Sequence, residues 1–394
     1  MMKLLLIPIL FISLILYPSL SPLKAGETKR PLRLDESIAI AKQRSTAIRS
    51  AEYAVDGAEY GRKAALTDFF PKISTDYTYM RYNEDPHMKS PAGEFLPYPI
   101  DMKIGKQDRY QWNTYLKQPL FTGGALVSSY KIAELGLGMA KEYRNRAVQD
   151  ITLQVKVAYF TILKAEKMQK VTAKAFFNTV LRQNINEPVE VEDILEYQPE
   201  SFSLEECLNA ALQIRPEMKE TSLNLERARR NVNLTMSSLY PTLSLVINYQ
   251  KMGDHAALRG NPYEDSESWM VTPVFSWDIW EWGKKYYQIS ASRTHVSQAE
   301  EQKKQVGDVI ALEVKDTYLN VIEAEKNIFV TKTAIDQAEE NFRLNRERYS
   351  EQMATSTDVL DAQVLLTQAE NNYYSALSDY QIAKARLERA IGKE

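Results

Sequence analysis

The chain has 394 residues, 26% of them charged, and a mean hydropathy of −0.40. Such a polar composition excludes a helical transporter that crosses the membrane many times, because each crossing needs about 20 apolar residues. The formal net charge of −3 argues against a nucleic-acid-binding protein, whose surface is usually basic.

The only long apolar run lies at the N-terminus. Leu4–Tyr17 follows a lysine, and prolines and small residues then lead to Ala25. This pattern predicts a signal peptide over residues 1–25. An uncleaved anchor helix is the alternative, which the shortness of the run and its interruption by Pro8 disfavour. Cleavage would remove two lysines, so the net charge of the mature chain would be −5.

The sequence offers no chemistry for an enzyme. Cys207 is the only cysteine, so no internal disulfide is possible, and its helical context predicts a small buried side chain. The three histidines, His87, His255 and His295, are far apart and have no other metal ligand at a useful spacing. We therefore predict no catalytic, cofactor-binding or metal site.

The chain repeats itself. An offset of 170 residues aligns Leu34–Tyr79 with Leu204–Tyr249, and an offset of 159 aligns the stretch after Gly124 with that after Gly283. Clustered matches at a fixed offset indicate a duplication. The predicted parts of the mature chain are repeat 1 (26–185), an acidic connector (186–202) that we expect to be exposed, and repeat 2 (203–394).

Each repeat is predicted to begin with one helix of about 33 residues, Asp35–Thr67 or Leu204–Ser238. Ser203 is expected to cap the second of these helices through its hydroxyl. Pro71 and Pro241 follow the two helices and should prevent their continuation.

Two segments rich in aromatic and β-branched residues follow each helix. Ile73–Met80 and Leu243–Tyr249 alternate between apolar and more polar residues, and Tyr110–Leu120 and Ser268–Phe275 are the predicted return strands. Alternation with aromatic residues near the strand ends is typical of a transmembrane β-barrel. An ordinary soluble sheet packed on the helices is the alternative. Three tryptophans form the predicted membrane-interface belt: Trp277, Trp280 and Trp282.

Four strands are too few for one barrel. A membrane barrel needs at least about eight strands, so several copies would have to pool theirs. Three copies would supply twelve. The segment Asn83–Asp108 between the first two strands contains four prolines and is predicted to be a surface loop.

The last helices carry a spacing of alternating three and four residues. It runs from Ile310 to Tyr349 and again from Val359 to Ala390, where large residues alternate with alanine. A sustained period of 3.5 residues predicts helices supercoiled on one another. The helix from Gly283 to Gln352 would be roughly 100 Å long at 1.5 Å per residue, which suits a rod or the wall of a tube.

Two motifs and the duplicated order of helix, hairpin and long helix resemble the TolC-like outer-membrane efflux proteins. The motifs are Pro119–Gly124, read Pro-Leu-Phe-Thr-Gly-Gly, and Thr355–Ala362, read Thr-Ser-Thr-Asp-Val-Leu-Asp-Ala. The resemblance implies a mainly α-helical fold with a transmembrane β portion, in which a homotrimer forms a 12-stranded barrel in outer-membrane lipid and a periplasmic helical tunnel. It also implies docking on a periplasmic adaptor protein and an inner-membrane pump, and passage of drugs, metals or secreted proteins.

The resemblance implies three residues at the periplasmic entrance or gate. Asp358 and Asp361 are similar to the family's aspartate ring, which three copies would extend to six carboxylates that attract cations. Tyr349 resembles a tyrosine of the entrance hydrogen-bond network. A role as a helix N-cap explains Asp358 equally well. The turn departs from the family at Gln352, where glycine is usual, and at Ala354, where a basic residue is usual.

Repeat 1 is shorter than repeat 2. Leu181 and Ile185 match Leu387 and Ile391 at an offset of 206 residues, whereas the stretch before them matches at an offset of 159. The difference between the two offsets means that repeat 1 lacks 47 residues of one helical hairpin. We therefore expect a chain that keeps the barrel and the upper tunnel but does not seal its periplasmic end. The alternatives to an export duct are a non-conducting coiled-coil envelope protein, a family member disabled by this deletion, and a periplasmic hydrolase.

Overall fold

A computed structural model describes residues 31–91, 98–168, 172–258 and 267–393. The predicted signal peptide lies outside these ranges. The described chain is mainly helical with a smaller β portion. Its α-helices are α1 (Leu34–Arg44), α2 (Thr46–Thr67), α3 (Ala125–Lys167), α4 (Thr172–Val180), α5 (Leu204–Ile214), α6 (Pro216–Met236), α7 (Lys284–Ser350) and α8 (Ser356–Ala390). Its strands are β1 (Lys72–Arg81), β2 (His87–Ser90), β3 (Ile100–Lys103), β4 (Asp108–Phe121), β5 (Thr242–Gly253) and β6 (Glu267–Ser276).

The single first helix predicted for each repeat is wrong, because each is two helices. The chain leaves the helical conformation at Ser45 and Arg215, where ψ is 123° and 132°. The Ser45 hydroxyl accepts a hydrogen bond from the amide of Ile48 and so starts α2. Pro216 opens α6 and forces the residue before it toward an extended conformation. The predicted cap by Ser203 is also wrong, since its hydroxyl accepts no hydrogen bond from α5.

Four strands form one antiparallel sheet in the order β1-β4-β5-β6. The four predicted strands are confirmed with slightly longer bounds, and the β4–β5 pairing joins the two halves of the chain. The loop predicted over Asn83–Asp108 is not loop throughout, because β2 and β3 pair within it as a small second sheet. Hydrogen bonding between these short strands thus organises a segment whose prolines alone had predicted a loop.

The helices form a layer in which neighbours lie side by side. Next to the sheet the order is α2, α3, α6 and α7; farther from the sheet it is α4, α3, α8 and α7. The largest fully buried side chains lie in the second row and include Tyr159, Phe177 and Tyr380. The Tyr159 hydroxyl donates to the carbonyl oxygens of Leu32 and Glu192 at 2.9 and 3.0 Å. The buried core therefore lies where α3, α4 and α8 meet.

The predicted supercoiled pairing of α7 and α8 agrees with their burial. Ile310, Val314, Val321 and Ile328 of α7 are buried. On α8, the alanines of the predicted spacing are buried, namely Ala362, Ala369, Ala376, Ala383 and Ala390. Small residues at these positions let the two helices approach closely.

The connector is less exposed than its acidic composition predicted. Val189, Val191 and Leu195 are buried, and Val191 forms a parallel bridge with Leu32. Apolar residues between the acids anchor this segment on the core, while Glu190 and Glu200 face outward. The prediction of an exposed connector is therefore wrong for these three side chains.

Candidate functional site: an uncovered sheet, a charge cluster and a projecting hairpin

The register of the sheet separates an apolar face from a polar face. Ile73, Leu116, Ile247 and Val271 lie in one row across the four strands. Three residues farther along β1, a row on the opposite face consists of Asp76, Asn113, Gln250 and Ser268. Asn113 donates to Asp76 at 2.8 Å and accepts a hydrogen bond from Gln111 at 3.0 Å. The sheet thus has one face suited to lipid and one suited to water.

An aromatic belt lies on the apolar face at the end away from the helices. It consists of Tyr77, Tyr79, Tyr110, Trp112, Tyr249 and Trp269. The rings of Tyr79 and Tyr110 stack at 4.8 Å, and those of Trp112 and Tyr249 meet edge to face at 6.1 Å. Trp269 is 74% exposed. Aromatic side chains prefer such positions where an apolar band meets water.

The tryptophans of the predicted second belt lie at the helix end of the sheet. Trp280 and Trp282 pack edge to face at 6.0 Å, and the indole of Trp277 donates to the carbonyl of Leu239. All three are exposed. The two belts therefore flank the apolar rows on both sides.

Both passages from strand to long helix use a left-handed pair of residues. Gly123 and Gly124 precede α3 with φ of 61° and 88°, and Trp282 and Gly283 precede α7 with φ of 50° and 79°. A side chain at Gly123 would bring its Cβ within 2.6 Å of the carbonyl oxygen of Ser237. Glycine at position 123 is thus required by a tight turn against Ser237, just after the end of α6.

A charge cluster, which the sequence analysis missed, joins four helices. Arg215 is 3% exposed and contacts Glu217 at 2.9 Å and Glu313 at 2.6 Å. Arg389 contacts Asp150 at 2.7 Å and Glu217 at 2.9 Å. Burial alone would raise the pKa of Glu217, but the hydrogen bonds and charge of Arg215 lower it to about 2. The Arg-Pro pair was the only local sign of this cluster, because its other members come from distant helices.

The hairpin of α7 and α8 ends in a turn, and the three residues predicted at the entrance lie in the helix ends on its two sides. Thr355 caps α8, and Asp358 accepts hydrogen bonds from the Thr355 amide and hydroxyl at 2.8 and 2.7 Å. These bonds hold the pKa of Asp358 below its usual range. Asp358 is therefore the third helical residue of a capping box and not the N-cap itself. Asp361 is exposed one turn farther along α8.

Tyr349 lies at the other side of the same turn, in the last turn of α7, and is 51% exposed. Among the described residues its hydroxyl makes no hydrogen bond. The turn closes through bonds from the Gln352 amide to Tyr349 and from the Met353 amide to Arg348. Gln352 has a φ of 60°, the left-handed conformation that glycine adopts most easily in such helix ends.

The hairpin continues beyond the end of α3. The Lys167 ammonium, at the end of α3, lies over the Tyr374 ring at 5.3 Å. We call residues 331–373, between this level and the turn, the arm. On its α8 side a groove of about 410 Å³ is lined by uncharged side chains: Leu360, Gln363, Val364, Thr367, Gln368 and Asn371. Nothing within the described chain covers this groove.

Of the helices in the described ranges, none combines the length and the apolar composition that a membrane crossing requires. Within the same ranges, no three metal-binding side chains come together.

Solved structures with the same fold are outer-membrane channels. The Campylobacter jejuni CmeC channel aligns with a TM-score of 0.72 and 13% identity over 91% of this chain and 85% of that one. Vibrio cholerae VceC aligns with a TM-score of 0.69 and 14% identity over 91% and 96%. The open state of Neisseria gonorrhoeae MtrE aligns with a TM-score of 0.70 and 16% identity over 92% and 89%.

No curated protein matches the chain by sequence at a significant level. A sequence profile described as "Outer membrane efflux protein" matches residues 38–176 and 207–393, which is most of the chain. The chain therefore belongs to the outer membrane efflux protein family, whose members are channels of the Gram-negative outer membrane with periplasmic helices, and not enzymes.

Proposed function

We propose that three copies of this chain assemble into one export duct. Each copy contributes four strands to a 12-stranded barrel in outer-membrane lipid, and its helices form part of a periplasmic tunnel. In this proposal the chain arose by duplication, with repeat 1 over 26–185, a connector over 186–202 and repeat 2 over 203–394.

The uncovered apolar face of the sheet carries this proposal. Nearly every residue of β1 and β6 is exposed on either face. Among the described residues neither strand has a second neighbour, so the sheet has two open edges. Open edges are not tolerated in lipid, because unpaired backbone groups there find no water. Closure through other copies would satisfy both edges and place the apolar face against lipid.

The height of the apolar band fits a membrane. Trp269 and Trp277 belong to opposite belts and are eight residues apart. At about 3.3 Å per residue this separation is roughly 26 Å along the strand. Tilt of the strand reduces the height to about 20 Å, near the apolar band of about 25 Å in outer-membrane barrels.

The duct serves passive export of drugs, metals or secreted proteins in a tripartite system. A periplasmic adaptor and an inner-membrane pump supply the energy and the choice of cargo. The charge cluster at Arg215 holds the upper tunnel rigid, because it joins α3, α6, α7 and α8.

Tyr349, Asp358 and Asp361 line the periplasmic entrance in this proposal. All three lie at or near the turn of the α7–α8 hairpin, the part of the helical layer farthest from the sheet. Because repeat 1 lacks the matching hairpin, the entrance is wide, and the carboxylates do not form a narrow ring.

Mass and conductance of the mature protein test this function together. We expect a detergent-solubilised trimer that forms large, weakly selective pores in planar bilayers. A small, gated, cation-selective pore would contradict the open entrance, and a water-soluble monomer would contradict the duct itself.

One observation favours a second candidate, a family member that no longer conducts. The arm lacks the neighbours that a complete first-repeat hairpin would supply. A strain in which this gene is the only copy separates the two functions: restored drug or metal efflux supports the duct, and a stable trimer without efflux supports the non-conducting protein.

A further inference from the structure

The helical layer of one chain ends in two open edges. The orders α2-α3-α6-α7 and α4-α3-α8-α7 leave α7 at one edge, and α2 with α4 at the other. Within the described ranges α5 also packs on α7, α1 packs on α3, and Tyr197 contacts Phe329, but exposed side chains remain along both edges. Both edges must therefore meet solvent or another protein.

The α7 edge carries a second stripe of residues spaced three and four apart. Its members turn away from the seam with α8 and are Leu312, Lys315, Leu319, Ile322, Lys326 and Phe329. Leu312, Leu319 and Phe329 are 70%, 51% and 54% exposed. Four large apolar side chains on a single line are unusual for a solvated helix face, which is normally charged.

The opposite edge is also uncharged and exposed. On α2 a stripe of the same spacing consists of Thr46, Ser50, Tyr53, Gly57, Tyr60, Ala64 and Thr67. A Cβ at Gly57 would meet no atom of this chain within 4 Å, so a neighbouring helix can come close there. On α4, Phe176 is 52% exposed, whereas the adjacent Phe177 is fully buried.

Contacts inside the chain place Phe176 and Phe329 at the same height of the layer. The Phe177 ring meets Tyr159 of α3 at 6.0 Å, and the next carbonyl of α3, that of Phe160, accepts a hydrogen bond from Ser378 of α8. Tyr380 of α8 then shares a neighbour with Phe329. The Tyr197 ring lies 5.5 Å from both of them. In a ring of copies related by rotation, residues of equal height meet.

The apolar character of the α7 stripe stops at Phe329. Continued toward the turn, the stripe is Thr333, Asp336, Glu340, Arg343 and Glu347, all exposed. Arg343 pairs with Glu340 and Glu347 on its own helix. The opposite edge ends at the same level, since α3 reaches only to Lys167 beside Tyr374. A charged, internally paired face is what a helix presents to water.

We propose that copies of this chain join edge to edge, with the Leu312–Phe329 stripe of α7 against α4 of the next copy and the part of α7 beside α6 against α2, and that this contact ends at the level of Phe329 and Phe176. Below that level each arm stands free of its neighbours. The inference rests on the proposed assembly of several copies, and it adds the surface that joins them and the height at which the joint ends.

Disulfide trapping tests the joint. In a Cys207→Ala background, the full-length chain carrying Phe176→Cys and Phe329→Cys is oxidised in detergent and run on a non-reducing gel. We expect covalent dimers and trimers. The matched control pairs Phe176→Cys with Arg343→Cys, which lies 14 residues farther down the same stripe, about 21 Å away. The control should remain monomeric on the gel.

Spin labels test the free arm without relying on disulfide geometry. A nitroxide attached at position 347, in place of Glu347, should give a broad distribution of distances between copies. A nitroxide in place of Leu319 should give a narrow distance distribution and the electron paramagnetic resonance spectrum of an immobilised label. If the protein is a trimer by mass but forms no disulfide between positions 176 and 329, or gives narrow distances at position 347, this inference is wrong while the proposed assembly stands. A monomer by mass in the same detergent would instead overturn the proposed assembly.

Discussion

Arg215 holds Glu217 and Glu313 at the point where α6, α7 and α8 meet, and it also donates to the carbonyl of Ala390. We predict that Arg215→Ala lowers the free energy of unfolding by about 3 kcal/mol, because it removes a buried guanidinium and leaves Glu217 with Arg389 as its remaining partner. Urea unfolding in detergent, followed by helical circular dichroism, measures this change. The control Arg230→Ala removes an exposed pair with Glu226 and should cost less than about 1 kcal/mol.

Glu217 makes the same cluster sensitive to acid. Its pKa of about 2 in the folded chain lies below its ordinary value of 4.5. A carboxyl whose pKa is lower in the folded chain than in the unfolded chain stabilises the fold at any pH above its unfolded pKa. This stabilisation is lost as the pH falls toward the pKa of the folded chain. We therefore expect stability to drop from about pH 4.5 toward about pH 2. Glu217→Gln should show a shallower drop over this window, and equal slopes for both proteins would argue against this role.

Gln352 adopts the left-handed conformation in the turn of the hairpin, with a φ of 60°. Glycine adopts this conformation with less strain, so Gln352→Gly should stabilise the turn by about 0.5–1 kcal/mol. Hydrogen exchange of the amides in the last turn of α7 should then slow by roughly two- to fivefold. Gln352→Ala keeps the strain and should give no such slowing.

At the scale of elements, periodicity predicted the strands and the α7–α8 pairing correctly, because alternation and the 3.5-residue spacing are local properties of the sequence. The breaks at Ser45 and Arg215 had local signs as well, a capping serine and a following proline, but a continuous helical pattern on both sides outweighed them. The charge cluster at Arg215 and the second stripe on α7 could not be predicted, since both depend on which distant helices lie side by side. The roles of Tyr349, Asp358 and Asp361 remain proposals.

The pairing of α7 with α8 should alone keep the arm folded. Ala369 is 8% exposed in this pairing, and Gln368 beside it is exposed. Ala369→Asp places a charge between the helices and should destabilise the arm by at least about 2 kcal/mol. Limited proteolysis should then cut within residues 331–373 while the rest of the helical layer stays intact. Gln368→Asp adds the same charge on the surface and should leave the cleavage pattern unchanged.

At the scale of the whole molecule, the length of the proposed joint between copies decides which carboxylates the passing ions would meet. If the arms stand free, Asp361 lies at the end of a separate arm, and its charge is screened over about 8–10 Å at ordinary salt. The polar face of the sheet, in contrast, lines a closed barrel in every arrangement that satisfies its edges. Ion selectivity should therefore depend on that face and not on the entrance.

Single-channel recording of two variants tests this consequence. Asp361→Asn should leave the conductance and the preference for cations nearly unchanged. Lys117→Gln removes a positive charge from the polar face of the sheet, in the cross-strand row that also holds Lys72 and Thr272, and should shift the preference toward cations. Asp361 suits this test better than Asp358, whose substitution would also break the capping box with Thr355. A large loss of cation selectivity in Asp361→Asn would mean that the arms come together at the turn and that the shortened chain still forms a narrow entrance.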